Sequence, residues 1–378
     1  MVKGVALRGM EQIWLAVLIF CLLLLGLYSY TEGGCRTFAP LPLRYSTTGD
    51  TTSLRIQPLS LNSSLTNQIW NLKMSGIEQI YLLQIFLRKE HFFNYTNVEI
   101  LKIELRRKMG SFFKNRLVVD RQNTPRNYKF VFGSKAKSQV WISGNIYKLL
   151  PNKVSFGEED IPRCSVVGNG GLILNSRCGK DIDKADFVFR CNAAPIKAFA
   201  NDAGNKTNFT SINPSVIRNR YRKLPMRERR SRFLKDMKEY RGLVWAPCFT
   251  SAEIMRECLN VVKTYKISEN KFVLAYPSHL KKVQDFWILC GLEKRISTGL
   301  YLVTLALSYC REVHLFGFWP FSNMVDKTIK DVPYHYFDKV QYNFSDKSAT
   351  HDMQLEFSVL LQLHNLGVLK LHVGECSH

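Results

Sequence analysis

The chain has 378 residues, with 53 Lys+Arg against 31 Asp+Glu and a formal net charge of +22. At 46% hydrophobic and 12% aromatic residues it is no disordered tail, and 22 Gly with 13 Pro exclude collagen-like or Pro-rich architecture. A chain of this length buries a large core, best as one big α/β domain with extensions, and its positive excess calls for an anionic partner: nucleic acid, phospholipid, a nucleotide donor or an acidic glycan.

The first element is IWLAVLIFCLLLLGLYSY, residues 13–30, which carries no charge. As a helix it is about 27 Å long, close to the hydrocarbon thickness of a bilayer. Lys3 and Arg8 precede it, so residues 1–12 read as a cytosolic tail and the remainder as lumenal or external. The alternative is a cleaved signal peptide, but no small-x-small site follows. Sequons at Asn62, Asn94, Asn205, Asn208 and Asn343 agree with a lumenal chain. Ten cysteines without one C-x-x-C pair agree too, and no HExxH is present. On that side of the membrane, nucleic acid drops out as the charge partner.

Residues after the anchor are rich in Ser, Thr, Asn and Leu without periodicity, which reads as a stem over 31–80, with a folded lumenal domain over 81–378. From Ile77 to Leu117 the pattern is helical and basic, with Lys102, Arg106, Arg107, Lys108, Lys114 and Arg116 clustered. A second basic stretch, 218–241, holds eleven Lys/Arg and three acids and reads as one or two exposed helices broken at Pro225. A solvated face is the plainer reading of both; an anion-facing surface is the functional one.

From Cys164 onward, CSVVG, DFVFRCN and EVHLFGF are short apolar runs bounded by turn residues, as buried strands are. GLYLVTLALSYC is apolar on nearly every side and reads as a central helix. Strands alternating with helices imply a mostly parallel sheet sandwiched by helices, with ligands at the carboxyl ends of the strands. In CSVVGNGG, residues 164–171, the missing Cβ atoms permit positive φ and close backbone approach to a ligand. A plain tight turn is the alternative. The stretch lacks both the full G-x-G-x-x-G and a P-loop lysine.

Asp181-Ile182-Asp183 has the D-x-D form of metal-dependent glycosyltransferases, since period-two geometry turns both carboxylates to one side. It follows Gly179-Lys180 rather than an apolar strand, which favours a structural role. Ser297-Thr298-Gly299 stands where the apolar helix begins, so that a hydroxyl can cap it and its open amides can hold an anion without metal. His335 in PYHYFD and His351, ahead of Glu356, lie in polar segments near a helix start and can converge on one cleft. Imidazole titrates near neutrality and is the natural base for an alcohol nucleophile.

Together these pieces resemble the animal sialyltransferases, and within them the α2,8-linking branch. Residues 164–196 are similar to the long sialylmotif of that family and RISTGLYLVTLALSYCREVHLFGFWPF to the short one; YHYFD resembles the third motif and His351…Glu356 the H-x₄-E motif. NPSVI (213–217) and GFWPF (317–321) resemble α2,8-branch hallmarks. Departures are mild: Ala193-Ala194 where relatives often have Leu-Ala or Leu-Pro, and Phe337 where they often have Tyr.

The resemblance implies a Golgi type II membrane protein whose catalytic domain is a disulfide-stapled, metal-independent variant of the GT-A fold. It would move sialic acid from CMP-sialic acid, with inversion, to the 8-hydroxyl of a sialylated glycan, with no cofactor. By motif, Asn169, Asn192, Asn213 and Ser215 would lie around CMP and the donor sugar. Ser297, Thr298 and Gly299 would hold phosphate or carboxylate, Trp319 would line the pocket and His335 would contact the leaving phosphate. His351 would be the general base, and Glu356 would orient the local helix. The family pattern also implies bridges Cys164–Cys310 and Cys178–Cys376. Cys191, Cys248, Cys258 and Cys290 remain unassigned, buried thiols being the plain reading for most. Other readings are a polysialyltransferase extending α2,8 chains, a non-catalytic sialoglycan-binding Golgi protein, and a metal-using transferase working through Asp181 and Asp183.

Overall fold

Short β-branched and aromatic runs form the strands of the computed structural model: β1 (Lys129–Phe132), β2 (Ser138–Trp141), β3 (Ile161–Val167), β4 (Phe187–Arg190), β5 (Phe209–Ser211), β6 (Leu243–Ala246), β7 (Lys271–Leu274), β8 (Cys310–Phe316), β9 (Asn323–Asp326), β10 (Thr328–Asp331) and β11 (Lys370–His372). Residues 76–376 are described, except 111–115, 133–137, 155–159, 223–225, 250, 266–270, 341 and 344–347. All belong to the unit Leu59–His378. The apolar run 13–30, residues 31–75 of the expected stem, Asn62 and Lys114 lie outside the described residues. Among those described, no helix is long and apolar enough to cross a membrane.

The helices are α1 (Gly76–Arg88), α2 (Tyr95–Met109), α3 (Gly144–Leu149), α4 (Gly179–Asp183), α5 (Ala200–Ala203), α6 (Pro214–Tyr221), α7 (Arg227–Met237), α8 (Ala252–Tyr265), α9 (Pro277–Leu289), α10 (Thr298–Tyr309) and α11 (Met353–Asn365). Their starts follow local chemistry. Asn94, Ser297 and Asp352 cap α2, α10 and α11 through side-chain oxygens, while α6 and α9 begin at a proline whose missing N–H is no loss there. α1 begins within the span read as stem, and Ile80, Leu83 and Leu87 join the core.

Seven strands form one parallel sheet in the order β11-β8-β3-β4-β5-β6-β7. Period-two alternation divides its side chains between two buried faces. Cys164, Val166, Phe189, Phe209, Trp245 and Val273 pack with α10 in one cluster. Their neighbours Val244, Ala246, Phe272 and Leu274 enter a second cluster, and Val167 and Val188 a third. Nine of the twelve residues of α10 are buried, as its apolar circumference predicts. After β3 the chain builds β4 to β7 on one side, then returns with β8 on the other. The strand order therefore reverses between β3 and β8, and that reversal leaves a crevice at their carboxyl ends.

Three disulfides staple the unit: Cys164–Cys310 across β3 and β8, Cys178–Cys376, and Cys248–Cys258. The last corrects the reading of Cys248 and Cys258 as thiols: the turn from β6 into α8 brings them together. Cys191 and Cys290 are free, and burial pushes their thiols up to about 12 and about 11.

The basic stretches are partly structural. Lys102 is buried and pairs with Asp160 at 2.8 Å, and Arg218 bonds Glu257 through two nitrogens at 2.8 and 3.0 Å. Asp181 and Asp183 lie on α4 rather than on a strand, so residues two apart point to different sides. Asp181 pairs with Lys184 at 2.7 Å, and Asp183 accepts from the amides of Asn205 and Lys206, both at 2.8 Å. Of the sequons, Asn94, Asn205 and Asn343 are exposed, while Asn208 is half-buried and accepts from the Val188 amide at 2.9 Å.

Candidate active site

The crevice is lined by the loops that leave β3, β4, β5 and β8, by the first turn of α10, and by the segments carrying the two candidate histidines. It brings together Asn169, Asn192, Asn213, Ser297, Thr298, Gly299, Trp319, His335, His351 and Glu356. Ser215 is not among them: it is exposed on the first turn of α6. A larger cavity near the amino ends of β4 and β6, about 1070 Å³, holds none of the catalytic or donor-site candidates.

Gly168 and Gly170 line the crevice, and all three of Gly168, Gly170 and Gly171 pack closely against protein. None has positive φ. A Cβ on Gly168 or Gly170 would stand 2.7 or 2.6 Å from the Gly317 carbonyl oxygen, and one on Gly171 would strike Pro333. The Gly170 amide donates to that Gly317 oxygen at 3.0 Å. The glycines thus let the loop after β3 lie flat on the loop after β8, and the left-handed residue is Gly317 itself, φ 73°.

Asn192 and Ala193 are also left-handed, at φ 53° and 45°, although neither is glycine. Such backbone costs about 1–2 kcal/mol per residue. Ser211 holds it in place: its hydroxyl accepts from the Asn192 amide at 2.9 Å and its carbonyl from the Ala193 amide at 2.8 Å. Asn192 Oδ1 accepts from the Asn213 amide at 3.2 Å, and Asn213 Nδ2 donates to Thr298 Oγ1 at 3.0 Å. One polar chain therefore runs from the end of β4 to the start of α10.

Ser297 caps α10 by accepting from the Leu300 amide at 3.1 Å. Glu356 of α11 meets it twice, accepting from the Ser297 amide at 2.6 Å and from the hydroxyl at 2.5 Å. Burial pushes Glu356 up to about 7 despite these bonds. Among the described residues the Thr298 and Gly299 amides keep no protein partner, so they are the helix donors that remain open to an anion.

His351 Nδ1 lies 2.7 Å from the carbonyl oxygen of Arg295. A carbonyl only accepts, so Nδ1 carries the proton and Nε2 of the neutral ring bears the free lone pair. Burial holds the His351 pKa below its ordinary value, which favours that neutral form. His335 Nδ1 bonds Asp338 at 2.9 Å, and its ring stacks on Phe337 with centroids 5.0 Å apart. Trp319 donates to the Asn323 carbonyl at 3.0 Å and packs edge-on against Phe357. Cys191, Phe318, Tyr334, Met353 and Leu360 complete the wall. Cys191, Phe318, Tyr334 and Met353 all sit in motif stretches quoted above, beside residues singled out there, and Leu360 alone carries no signal of its own.

Residues 114–368 match the sequence model described as glycosyltransferase family 29 (sialyltransferase). The chain is 38% identical over 266 residues to alpha-2,8-sialyltransferase 8F of Mus musculus, covering 68% of this chain and 64% of that protein. It therefore spans just under two thirds of that relative's length. It is 31% identical over 342 residues to alpha-2,8-sialyltransferase 8E of Rattus norvegicus, covering 85% and 86%. A crystal structure of a mammalian sialyltransferase is 22% identical, covers 76% of this chain and 82% of that one, and has a TM-score of 0.40, too loose a likeness for comparing sites. With more than half of its length matched to that sequence model, the chain belongs to glycosyltransferase family 29, the sialyltransferases.

Proposed function

We propose that the protein is an α2,8-sialyltransferase, moving sialic acid from CMP-sialic acid to the 8-hydroxyl of a terminal sialic acid on a glycan, in the Golgi lumen and anchored through residues 13–30. The observation that carries the reaction type is a neutral imidazole with its free nitrogen defined, beside open helix amides in one crevice. The names of the two relatives support the linkage.

In this reading His351 Nε2 takes the proton from the acceptor hydroxyl as its oxygen bonds to the anomeric carbon of the donor. The bond from that carbon to the phosphate oxygen breaks on the opposite face, giving inversion. CMP is a good leaving group, so neither a strong acid nor a covalent nucleophile is needed. What remains is to meet the charge growing on phosphate, the part given to the Thr298 and Gly299 amides, the Thr298 hydroxyl and His335. Ser297 positions this turn through Glu356 rather than touching the anion itself.

The test is incubation of the full chain in detergent with CMP-sialic acid and a panel of sialylated and neutral acceptors, with and without EDTA, followed by linkage and chain-length analysis. An α2,8-linked product that persists in EDTA is expected. Product on neutral galactosides alone would sink the linkage, and loss of turnover in EDTA would sink the metal-free route. Product length separates single transfer from polymer extension.

A further inference from the structure

Beside the crevice lies a second cavity of about 1140 Å³, walled by β1, the start of α9 and residues 293–298. It shares Asn213, Ser297 and Thr298 with the crevice. A molecule whose reacting hydroxyl stands at His351 can therefore extend into it. Its cations are Arg116, Lys129, Lys281 and Arg295. Three of them already have partners. Arg116 donates to the Tyr276 hydroxyl at 3.1 Å, Lys129 lies 5.3 Å from the Trp141 ring centroid, and Lys281 pairs with Asp285 at 2.6 Å.

Arg295 differs from these. It is exposed, and among the described residues its guanidinium makes no ion pair or hydrogen bond. Its own carbonyl is the oxygen that accepts from His351 Nδ1. Its charge also reaches that ring, adding to the depression of the histidine's pKa. A single residue thus orients the base through its backbone and presents an uncommitted cation beside it.

We propose that Arg295 selects an anionic acceptor, its guanidinium taking the carboxylate of the acceptor sugar while its carbonyl holds the base to that sugar's hydroxyl. This rests on the α2,8 reading above. Sialic acid suits the arrangement chemically, because its carboxylate and its side-chain hydroxyls belong to one sugar. A guanidinium grips a carboxylate through two parallel hydrogen bonds, which fixes orientation as well as charge. A neutral acceptor would offer the cation nothing in exchange for its water.

The experiment compares the full-chain wild type with Arg295→Ala and Arg295→Lys on a sialylated acceptor and on its carboxylate methyl ester, measuring KM and kcat. Each substitution leaves the backbone carbonyl that orients His351. The ester should raise the wild-type KM roughly 10- to 100-fold, the size of a lost charge-assisted contact. Arg295→Ala should raise KM as much on the free acid and lose nothing further on the ester, while Arg295→Lys should recover part of the preference. Retention of the wild-type acid-over-ester ratio in Arg295→Ala would overturn the assignment. So would a fall in kcat alike on both acceptors, the mark of a structural role. Wild-type transfer to neutral acceptors alone would instead remove the α2,8 reading beneath it, a distinct result.

Discussion

Glu356 is a buried carboxylate whose two oxygens are both spent on Ser297. Ser297→Ala removes the helix cap and one of those two donors together, leaving a buried acceptor short of a partner. It should lower unfolding free energy by about 1–3 kcal/mol in urea denaturation. His351→Ala should cost about 10²–10⁴-fold in kcat with CMP affinity nearly kept, as checked by turnover and calorimetry. Near-normal turnover would refute the role. Hydroxyls and imidazoles near a helix start are as often caps or ordinary surface groups, so it was the ordered motifs of the resemblance that singled out the side chains this crevice gathers. The partner of His351 was not, since any residue supplies a carbonyl and only the fold decides which one arrives. Nor was the left-handed pair Asn192-Ala193, whose conformation depends on Ser211 nineteen positions away for Asn192.

Strands β8 and β11 and helix α11 meet in a cluster of imidazoles. His314 Nδ1 is 3.0 Å from His372 Nε2, and His91 stacks on His364 with centroids 4.3 Å apart. Burial holds all four below their ordinary value, to about 4 for His91 and His364, about 3 for His314 and well down for His372. Lys370 adds to the depression at all four, Arg163 adds to it at His314 and His372, and Glu312 lies 3.8 Å from His314. The unfolded chain binds these protons first as pH falls below about 6.5, so their contribution to stability is complete above that pH and is lost toward about pH 4. Melting temperature should therefore drop steeply across that window, and less so in His314→Gln. An unchanged slope in that variant would contradict the linkage. At this scale the bounded apolar runs were readable: β3, β8 and α10 coincide with them, and the four-residue β4 stands out because Asp186 and Asn192 bracket its run. The expected break at Pro225 lies outside the described residues, between the end of α6 at Tyr221 and the start of α7 at Arg227. Strands β5, β6, β7 and β11 have only three or four residues each, too few for alternation to stand out from the helices around them.

Across the whole molecule, Cys164–Cys310 closes a sequence separation of 146 residues, which the chain-entropy model values at about 5 kcal/mol. The Cys164→Ser/Cys310→Ser double variant should lose stability of that order in denaturant titration, and turnover should fall at lower denaturant than in the wild type. A parallel sheet with helices on both faces followed from alternating textures alone. The order of its strands did not, because no local pattern says that β8 returns beside β3.

That return governs how the chain is made. While residues 168–309 are still being synthesised, β3 lacks the neighbour that covers its outer edge. At cellular elongation rates the interval is about 10–30 s. An unpaired, flat, apolar edge is a template for joining other chains. Nascent copies on one message should therefore depend on holdase chaperones until β8 emerges, and slow codons between β7 and β8 should lower the yield of folded protein without changing a single amino acid.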